Sequence, residues 1–484
     1  MARVLDQSKP VFRFFEDLCE IPHGSGNERQ ISDFLMAFAK ARGLWAHQDK
    51  AMNVIIKKPA SPGFEDAPAV MLQGHMDMVC EKNNDVVHDF LKDPLSLYIQ
   101  DGWLRARGTT LGADDGCGVA IMLAILDDPD CRHPALECVF TVEEETGMAG
   151  AAALDYSLLR ARRLVGLDSA GETSTVVSSA GGLRLRATRT LAYRPVPKDF
   201  TVCLLEIKGL EGGHSGIFID KERGNSIKLA ARVLHGLRTA GVDFYLADLR
   251  GGSKDNAIPR ECVVSLAVQN AHLAKAETAA AGLAAEIGEE LAASDAGFAL
   301  TFGPSAAGAD RMLEAGDTQA VVDLLFLMPN GVAAKSMTMQ DLVLTSDNVG
   351  VVSIRDGCFQ LLVSLRSAVE SRIDELCARM TLLCDRLGFQ WETGSRYPGM
   401  DYQTQSPFRD QYAAYMREVW GKELCLVAGH AGGEGGYFVK NLPGLELVAL
   451  GPFIEDVHGP DERMDPVSFL RCYDFLVGFL ARLG

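Results

Sequence analysis

Short apolar runs that stop at acids and histidines mark the first third of this chain and return near its end. Residues 69–72 lead into Gln-Gly-His75-Met-Asp77, and residues 164–167 into Asp168. Residues 139–142 stop at three consecutive glutamates, Glu143, Glu144 and Glu145. Leu111 precedes Gly-Ala-Asp114-Asp115, and residues 445–450 precede Asp456-Val-His458-Gly-Pro460. Apolar runs without polar alternation read as strands buried on both faces, which needs helices on either side. Helical patterns lie between them. Residues 27–43 are amphipathic, and residues 115–125 open acidic before apolar positions at 119, 122 and 123. This alternation predicts an α/β fold, with a mostly parallel central sheet flanked by helices.

The texture changes near Gly181-Gly182. Strands are expected at 202–207, 262–268 and 359–365, with helices at 225–237, 277–293 and 372–387. We read residues 184–398 as an inserted α+β lid domain. It divides the catalytic domain into residues 1–183 and 399–484. Ser253-Lys-Asp-Asn256 and Ser346-Asp-Asn348 form a faint echo inside the insert, as a duplicated lobe would. After it come a helix at 406–420, strands at 424–427 and 445–450, and a closing helix at 466–483.

Charge removes whole classes of function. Net charge is −18, from 47 basic and 65 acidic residues, and no basic cluster offers a footprint for phosphate. The same balance excludes nucleic acid and an anionic membrane surface as partners. No run of apolar residues is long enough to span a bilayer. Arg13, Glu16 and Asp17 interrupt the N-terminal stretch from Met1 to Pro22, which reads as an amphipathic helix rather than a signal peptide. Twelve cysteines without a C-x-x-C spacing point to reduced core thiols and a cytoplasmic location.

Taken one at a time, the polar clusters are ordinary. A lone H-x-D is usually surface polarity, a run of glutamates is usually a solvated turn, and Asp168 would serve as a helix cap. Their shared position changes the reading, because ligands of open α/β sheets bind at the carboxyl ends of strands. Imidazole and carboxylate together suit zinc, manganese or cobalt. Two cations sharing a bridging carboxylate, about 3.5–4 Å apart, make adjacent glutamates tolerable. A carboxylate left off the metals is then free to act as a general base. Residue types do not decide which of Glu143, Glu144 and Glu145 has which task.

The motifs G-H75-M-D77, G-T-T-L-G-A-D114-D-G, E144-E145-T-G, G-L-D168-S and D-V-H458-G-P-D-E resemble the aminoacyl-histidine dipeptidases. These are a branch of the co-catalytic zinc peptidases that also hold aminoacylases and carboxypeptidase G2. The likeness runs over essentially the whole chain. It implies two zinc ions per chain, with manganese or cobalt as substitutes. His75 and Asp168 would hold one ion, Glu145 and His458 the other, and Asp114 would bridge them. Asp77 would orient the His75 ring, and Glu144 would be the general base that activates the attacking water.

The resemblance also assigns residues of the insert. His214 in E-G-G-H-S-G would stabilise the oxyanion, and Asn256 and Arg366 would hold the substrate's C-terminal carboxylate. Lid closure would bring them to the metals. Gly433 in G-H-A-G-G-E-G-G would belong to a glycine-rich substrate wall. Asp115, Gly433 and Gly435 depart from the branch pattern of Asn, Leu and Cys. The implied activity is hydrolysis of dipeptides, preferentially Xaa-His and including carnosine-like substrates. A broader dipeptidase and an N-acyl-amino-acid amidohydrolase are the alternatives within the family. A non-catalytic metal-binding scaffold would lack a base or a metal-holding residue, and none is missing. A small peptide is the expected partner, and the resemblance admits a homodimer.

Overall fold

The computed structural model describes residues 3–484, so Met1 and Ala2 of the expected N-terminal helix lie outside the described residues. The helix itself runs Pro10–Cys19. The chain forms two compact units. Unit 1 comprises the residues up to Ser178, Tyr402–Ala428 and Gly433–Gly484, and unit 2 comprises Ser179–Asp401 and Gly429–Gly432.

Unit 1 is built on a six-stranded sheet in the order Trp45–Gln48, Val54–Lys58, Leu136–Thr141, Val70–His75, Arg163–Gly166 and Glu446–Ala449. The last four strands run parallel, and the first two add an antiparallel edge. Alternate residues of the central strands enter two different cores. Leu72, Cys138, Phe140 and Val165 join the larger core, while Met71, Val139 and Leu164 face a smaller one that includes Phe438 and Leu442. Burial on both faces explains why these strands read as unbroken apolar runs.

The helix Ala113–Asp127 lies in the larger core and is buried at every position from Gly116 to Leu126. Gly118 permits its approach to the sheet, because a Cβ there would stand 2.6 Å from the Leu167 Cβ and 2.5 Å from the Asp115 carboxylate. Leu111 is not in a strand, contrary to the apolar-run reading. It sits in a loop that enters this helix, so Asp114 is placed by a helix start rather than a strand end.

Unit 2 holds a nine-stranded antiparallel sheet in which eight strands form two halves with one strand order, and the ninth, Gly331–Lys335, pairs with Val343–Arg355. The first half is built from Phe200–Lys208, Phe244–Gly251, Cys262–Gln269 and Ala299–Pro304, with helices Ser226–Thr239 and Leu273–Glu290 between them. The second uses Gly181–Thr190, Val343–Arg355, Cys358–Ser367 and Gln390–Tyr397, with helices Ala315–Leu327 and Glu370–Leu387. In each half the sheet order is fourth, first, third, second, and the two second strands pair at Arg250–Ser353 and Gly251–Val352. The repeat therefore lies in the strand order and not in the short sequence echo. Residues 253–256 follow a second strand, whereas residues 346–348 lie inside one.

An aromatic cluster joins the helices Pro407–Trp420 and Pro466–Leu480 of unit 1. The Phe475 ring is 4.3 Å from Trp420 and 5.3 Å from Tyr412, centroid to centroid. Its side chain is 2% exposed, so Phe475→Ala leaves a cavity. We expect a loss of about 3–5 kcal/mol, read as a lower urea midpoint for unit 1.

Candidate active site and metal centre

Four carboxylates and two imidazoles converge at the carboxyl end of the unit 1 sheet. His75 ends the strand Val70–His75, Asp168 follows Arg163–Gly166, and Glu143–Glu145 follow Leu136–Thr141. Asp114 lies in the first turn of its helix, and His458 in the loop before Arg463–Met464. Glu143, Asp456 and His458 all adopt the left-handed region, at φ 51°, 54° and 65°. Non-glycine residues hold such backbone only where surrounding contacts enforce it, and they concentrate at functional loops.

The Asp114 carboxylate faces both rings. Its Oδ1 is 3.1 Å from His75 Nε2, and its Oδ2 is 3.3 Å from His458 Nε2. Glu145 Oε1 is 3.0 Å from the same His458 nitrogen, yet it is buried without a properly oriented hydrogen bond. His75 Nδ1 lies 3.0 Å from the Asp77 carbonyl, an acceptor that puts the proton on Nδ1 and leaves the Nε2 lone pair pointing at Asp114. A lone pair and a carboxylate that close need a proton or a cation between them.

One donor atom from each of His75, Asp114 and Asp168 lies within 4.8 Å of the others, and Asp114, Glu145 and His458 form a second such group. The groups share Asp114. Nitrogen and oxygen donors of this kind, with an orphaned buried Glu145 oxygen, fit a pair of divalent cations bridged by one carboxylate.

Proton affinities show the same crowding. Burial opposes charge on His75, but hydrogen bonds to Asp114 and Asp77 lift it well above the usual imidazole range. His458 is pushed up to about 10 by Asp114 and Glu145. Asp114 is held far below the carboxylate range: burial works against this, and the two histidines overcome it. Glu144 is pushed up to about 6 by burial and by the negative charges of Glu145, Asp114 and Asp77, which His75 only partly offsets. Asp168 is raised well above its ordinary value by the protein packed around it and by Asp114, although its solvent-exposed side moderates the first effect. Cations bound among these groups would lower every carboxylate value.

Residues 71–482 match Peptidase family M20/M25/M40. The chain belongs to that family. The chain is 36% identical over 475 residues to the cytosol non-specific dipeptidase of Escherichia coli, with 98% of each chain covered. It is similar to the crystal structure of aminoacylhistidine dipeptidase from Vibrio alginolyticus, at a TM-score of 0.92 and 32% identity, covering 98% of this chain and 96% of that one. The aminopeptidase PepT structure from Bacillus cereus shares the fold at a TM-score of 0.55 and 16% identity, with 99% of each chain covered.

Carboxylates that bear on no donor atom directly hold this site in shape, and most were not evident in the sequence. Asp77 accepts hydrogen bonds from the Glu144 and Glu145 N–H groups at 3.1 and 3.3 Å and from the Ser25 hydroxyl at 2.8 Å. Its Oδ1 is 3.4 Å from His75 Nδ1. Glu28 accepts the Glu143 N–H at 3.2 Å. All three glutamate N–H groups thus point at buried acids. Glu462 accepts N–H bonds from Leu111, Gly112 and Ala113 at 2.8, 3.1 and 2.9 Å, which fixes the loop that presents Asp114. Glu434, in the glycine-rich motif, accepts from Gln73 and Thr141 at 2.7 Å each. Burial pushes it up to about 8, and its Oε1 has no partner. The signal for both was a lone acid inside a motif already noted, D-V-H-G-P-D-E for Glu462 and G-H-A-G-G-E-G-G for Glu434.

Asp115 places Oδ1 on the Gly118 N–H at 3.0 Å, and burial favours its neutral form, which resembles an asparagine. Gly433 is half-buried, and a Cβ there would meet nothing within 4 Å.

Unit 2 groups its own polar residues. His214 pairs with Ala257, and the Ser215 N–H donates to the Asn256 carbonyl at 2.8 Å. Asn348 Nδ2 donates to the carbonyls of Asp255 and Ala257, both at 2.9 Å, so the second half of the sheet anchors the loop that bears Asn256. Arg366 is 7% exposed; its Nη1 donates to the Tyr397 hydroxyl at 3.0 Å, and its Nε is buried without a partner. His214 is lowered by burial and by the Arg366 charge. His430, not singled out from sequence, lies 2.7 Å from the Ser346 hydroxyl and falls to about 4 through burial and Arg366.

Glu462→Ala would strand the N–H groups ahead of Asp114. We expect metal affinity to fall about 10–100-fold, measured by chelator competition, with the far-ultraviolet spectrum retained.

Proposed function

We propose that this chain is a two-metal dipeptidase that hydrolyses dipeptides of the Xaa-His type. The observation that carries the reading is the pair of donor groups sharing Asp114, with Glu144 beside them. The 36% identical relative is named a non-specific dipeptidase, which favours a second reading in which the residue after the scissile bond varies widely. That relative's name also supports a cytosolic location, and no helix among the described residues is long and apolar enough to cross a membrane.

We assign zinc to both positions, with manganese or cobalt as substitutes. His75 and Asp168 would hold one ion and Glu145 and His458 the other, with Asp114 shared by the two donor groups. Metals held there would supply Lewis acidity for the scissile carbonyl and acidify water toward neutral pH. Glu144 takes a proton from the attacking water and delivers it to the leaving amine nitrogen. Asp77 keeps the His75 ring in place and, through the Glu144 and Glu145 N–H groups, fixes the turn that carries the base. His214 donates to the developing oxyanion. Asn256 and Arg366 hold the substrate carboxylate, for which an arginine fork is suited. Gly433 lends backbone to the substrate wall. Residues 184–398 act as the lid, and a homodimer is the proposed assembly.

The test is hydrolysis of carnosine, Ala-His and Gly-Leu by purified protein, before and after metal stripping and zinc return, with metal counted per chain. Restored cleavage at two metals per chain supports the reading, and the substrate ratio decides between the narrow and broad forms. Active protein without stoichiometric metal sinks it. Glu144→Ala should keep both metals and lose at least about 100-fold in kcat, the scale of general-base catalysis. His75→Ala and Asp114→Ala should lose metal, seen by elemental analysis.

A further inference from the structure

Beside the metal-site carboxylates Asp114 and Asp168, unit 1 has an open cavity of about 330 Å³. Part of its lining is aliphatic. Val176 and Val427 are register partners on the parallel strands Ser174–Ser178 and Cys425–Ala428, so their side chains lie side by side. Ile454 and Val457, just ahead of His458 in the chain, also line the cavity. These side chains are poorly covered: Val427 is 39% and Val457 is 41% exposed. Single exposed aliphatics are common, but four β-branched ones lining one cavity next to a cluster of acids make a patch that asks for an apolar occupant.

We propose that this cavity receives the side chain of the substrate's first residue and sets a preference for aliphatic first residues over glycine. The inference rests on the dipeptidase reading. The attacked carbonyl belongs to the first residue, whose side chain branches from the adjacent carbon. A side chain so close to the reacting carbon must find its space near Asp114 and Asp168, and the aliphatic wall is the apolar surface there. The second residue carries the carboxylate assigned above to Asn256 and Arg366 of unit 2. The cavity volume is at the small end of ligand pockets, about 300–1,000 Å³, which suits one side chain rather than a longer peptide.

The experiment compares kcat/KM for Gly-His, Leu-His and Phe-His in the zinc-loaded full chain, and in Val427→Phe and Val427→Ala. Each methylene placed in an apolar pocket discriminates by about tenfold or more. The wild-type chain should therefore favour Leu-His over Gly-His by at least about tenfold. Val427→Phe fills the cavity and should bring that ratio to one or below. Val427→Ala, a truncation on an exposed strand that the fold tolerates, should raise Phe-His relative to Leu-His severalfold. A ratio that responds at the second position, with Gly-Leu against Gly-Gly, overturns the proposal. So does one that responds at neither. A wild-type chain that cleaves dipeptides without regard to the first residue overturns the pocket alone, whereas one that cleaves none overturns the dipeptidase reading beneath it.

Discussion

Crowded negative charge at the end of the parallel sheet is the constraint to which the rest of unit 1 answers. Burial and the negative charge of neighbouring carboxylates raise the proton affinity of Glu144 and Asp168. Among the described residues, the imidazoles of His75 and His458 face these carboxylates. Such an arrangement is costly to bury unless cations share it. A fold that concentrates acids this way has to hold them against their own repulsion. It does so with backbone placement: strand ends, a helix start and left-handed loop residues fix the carboxylates before any ligand is bound.

The holding groups are themselves acids, used as hydrogen-bond acceptors. Asp77 and Glu28 collect the N–H groups of the three glutamates, and Glu462 collects those leading to Asp114. The N–H bonds favour the ionised form; against burial, they and His75 hold Asp77 below the usual carboxylate range, whereas at Glu28 and Glu462 burial outweighs them and raises the proton affinity. The same bonds order the loops that carry Glu144, Glu145 and Asp114. Glu462 lies about 350 residues from the loop it secures, so the C-terminal segment contributes twice, through His458 and through Glu462.

Unit 2 solves a different problem. Two halves of equal strand order meet at their second strands and form one continuous sheet. Asn348 of one half ties down the Asp255–Ala257 backbone of the other, beside the short pairing that holds His214. Arg366 sits in the same unit with an unpaired buried Nε, and burial, helped by its charge, lowers the proton affinity of His214 and His430.

The parallel strands of unit 1 were legible in the amino-acid sequence, because apolar runs and strand-end polarity are local properties, but Gly181–Thr190, Phe244–Gly251, Ala299–Pro304, Val343–Arg355 and Gln390–Tyr397 of unit 2 were not expected. The apolar runs ending at His75, Glu143 and Asp168, and the acidic opening of the helix at Asp115, could be read directly, whereas Asp114 was expected after a strand and lies in the first turn of the helix. The duplication in unit 2 was not legible, since it resides in strand order while the short echo sits at unlike places. Nor were the roles of Glu28, Glu434 and Glu462, or the pairing of Val176 with Val427. An isolated glutamate or valine looks the same on a surface as in a site. By itself the sequence determined the residue types, their strand-end and helix-start places and the family, because periodicity and motif spacing are written along the chain. Only the tertiary structure decided which acids accept backbone N–H groups and which face His75 and His458, because hydrogen bonds and Coulomb forces depend on distances of a few ångströms between residues far apart in sequence.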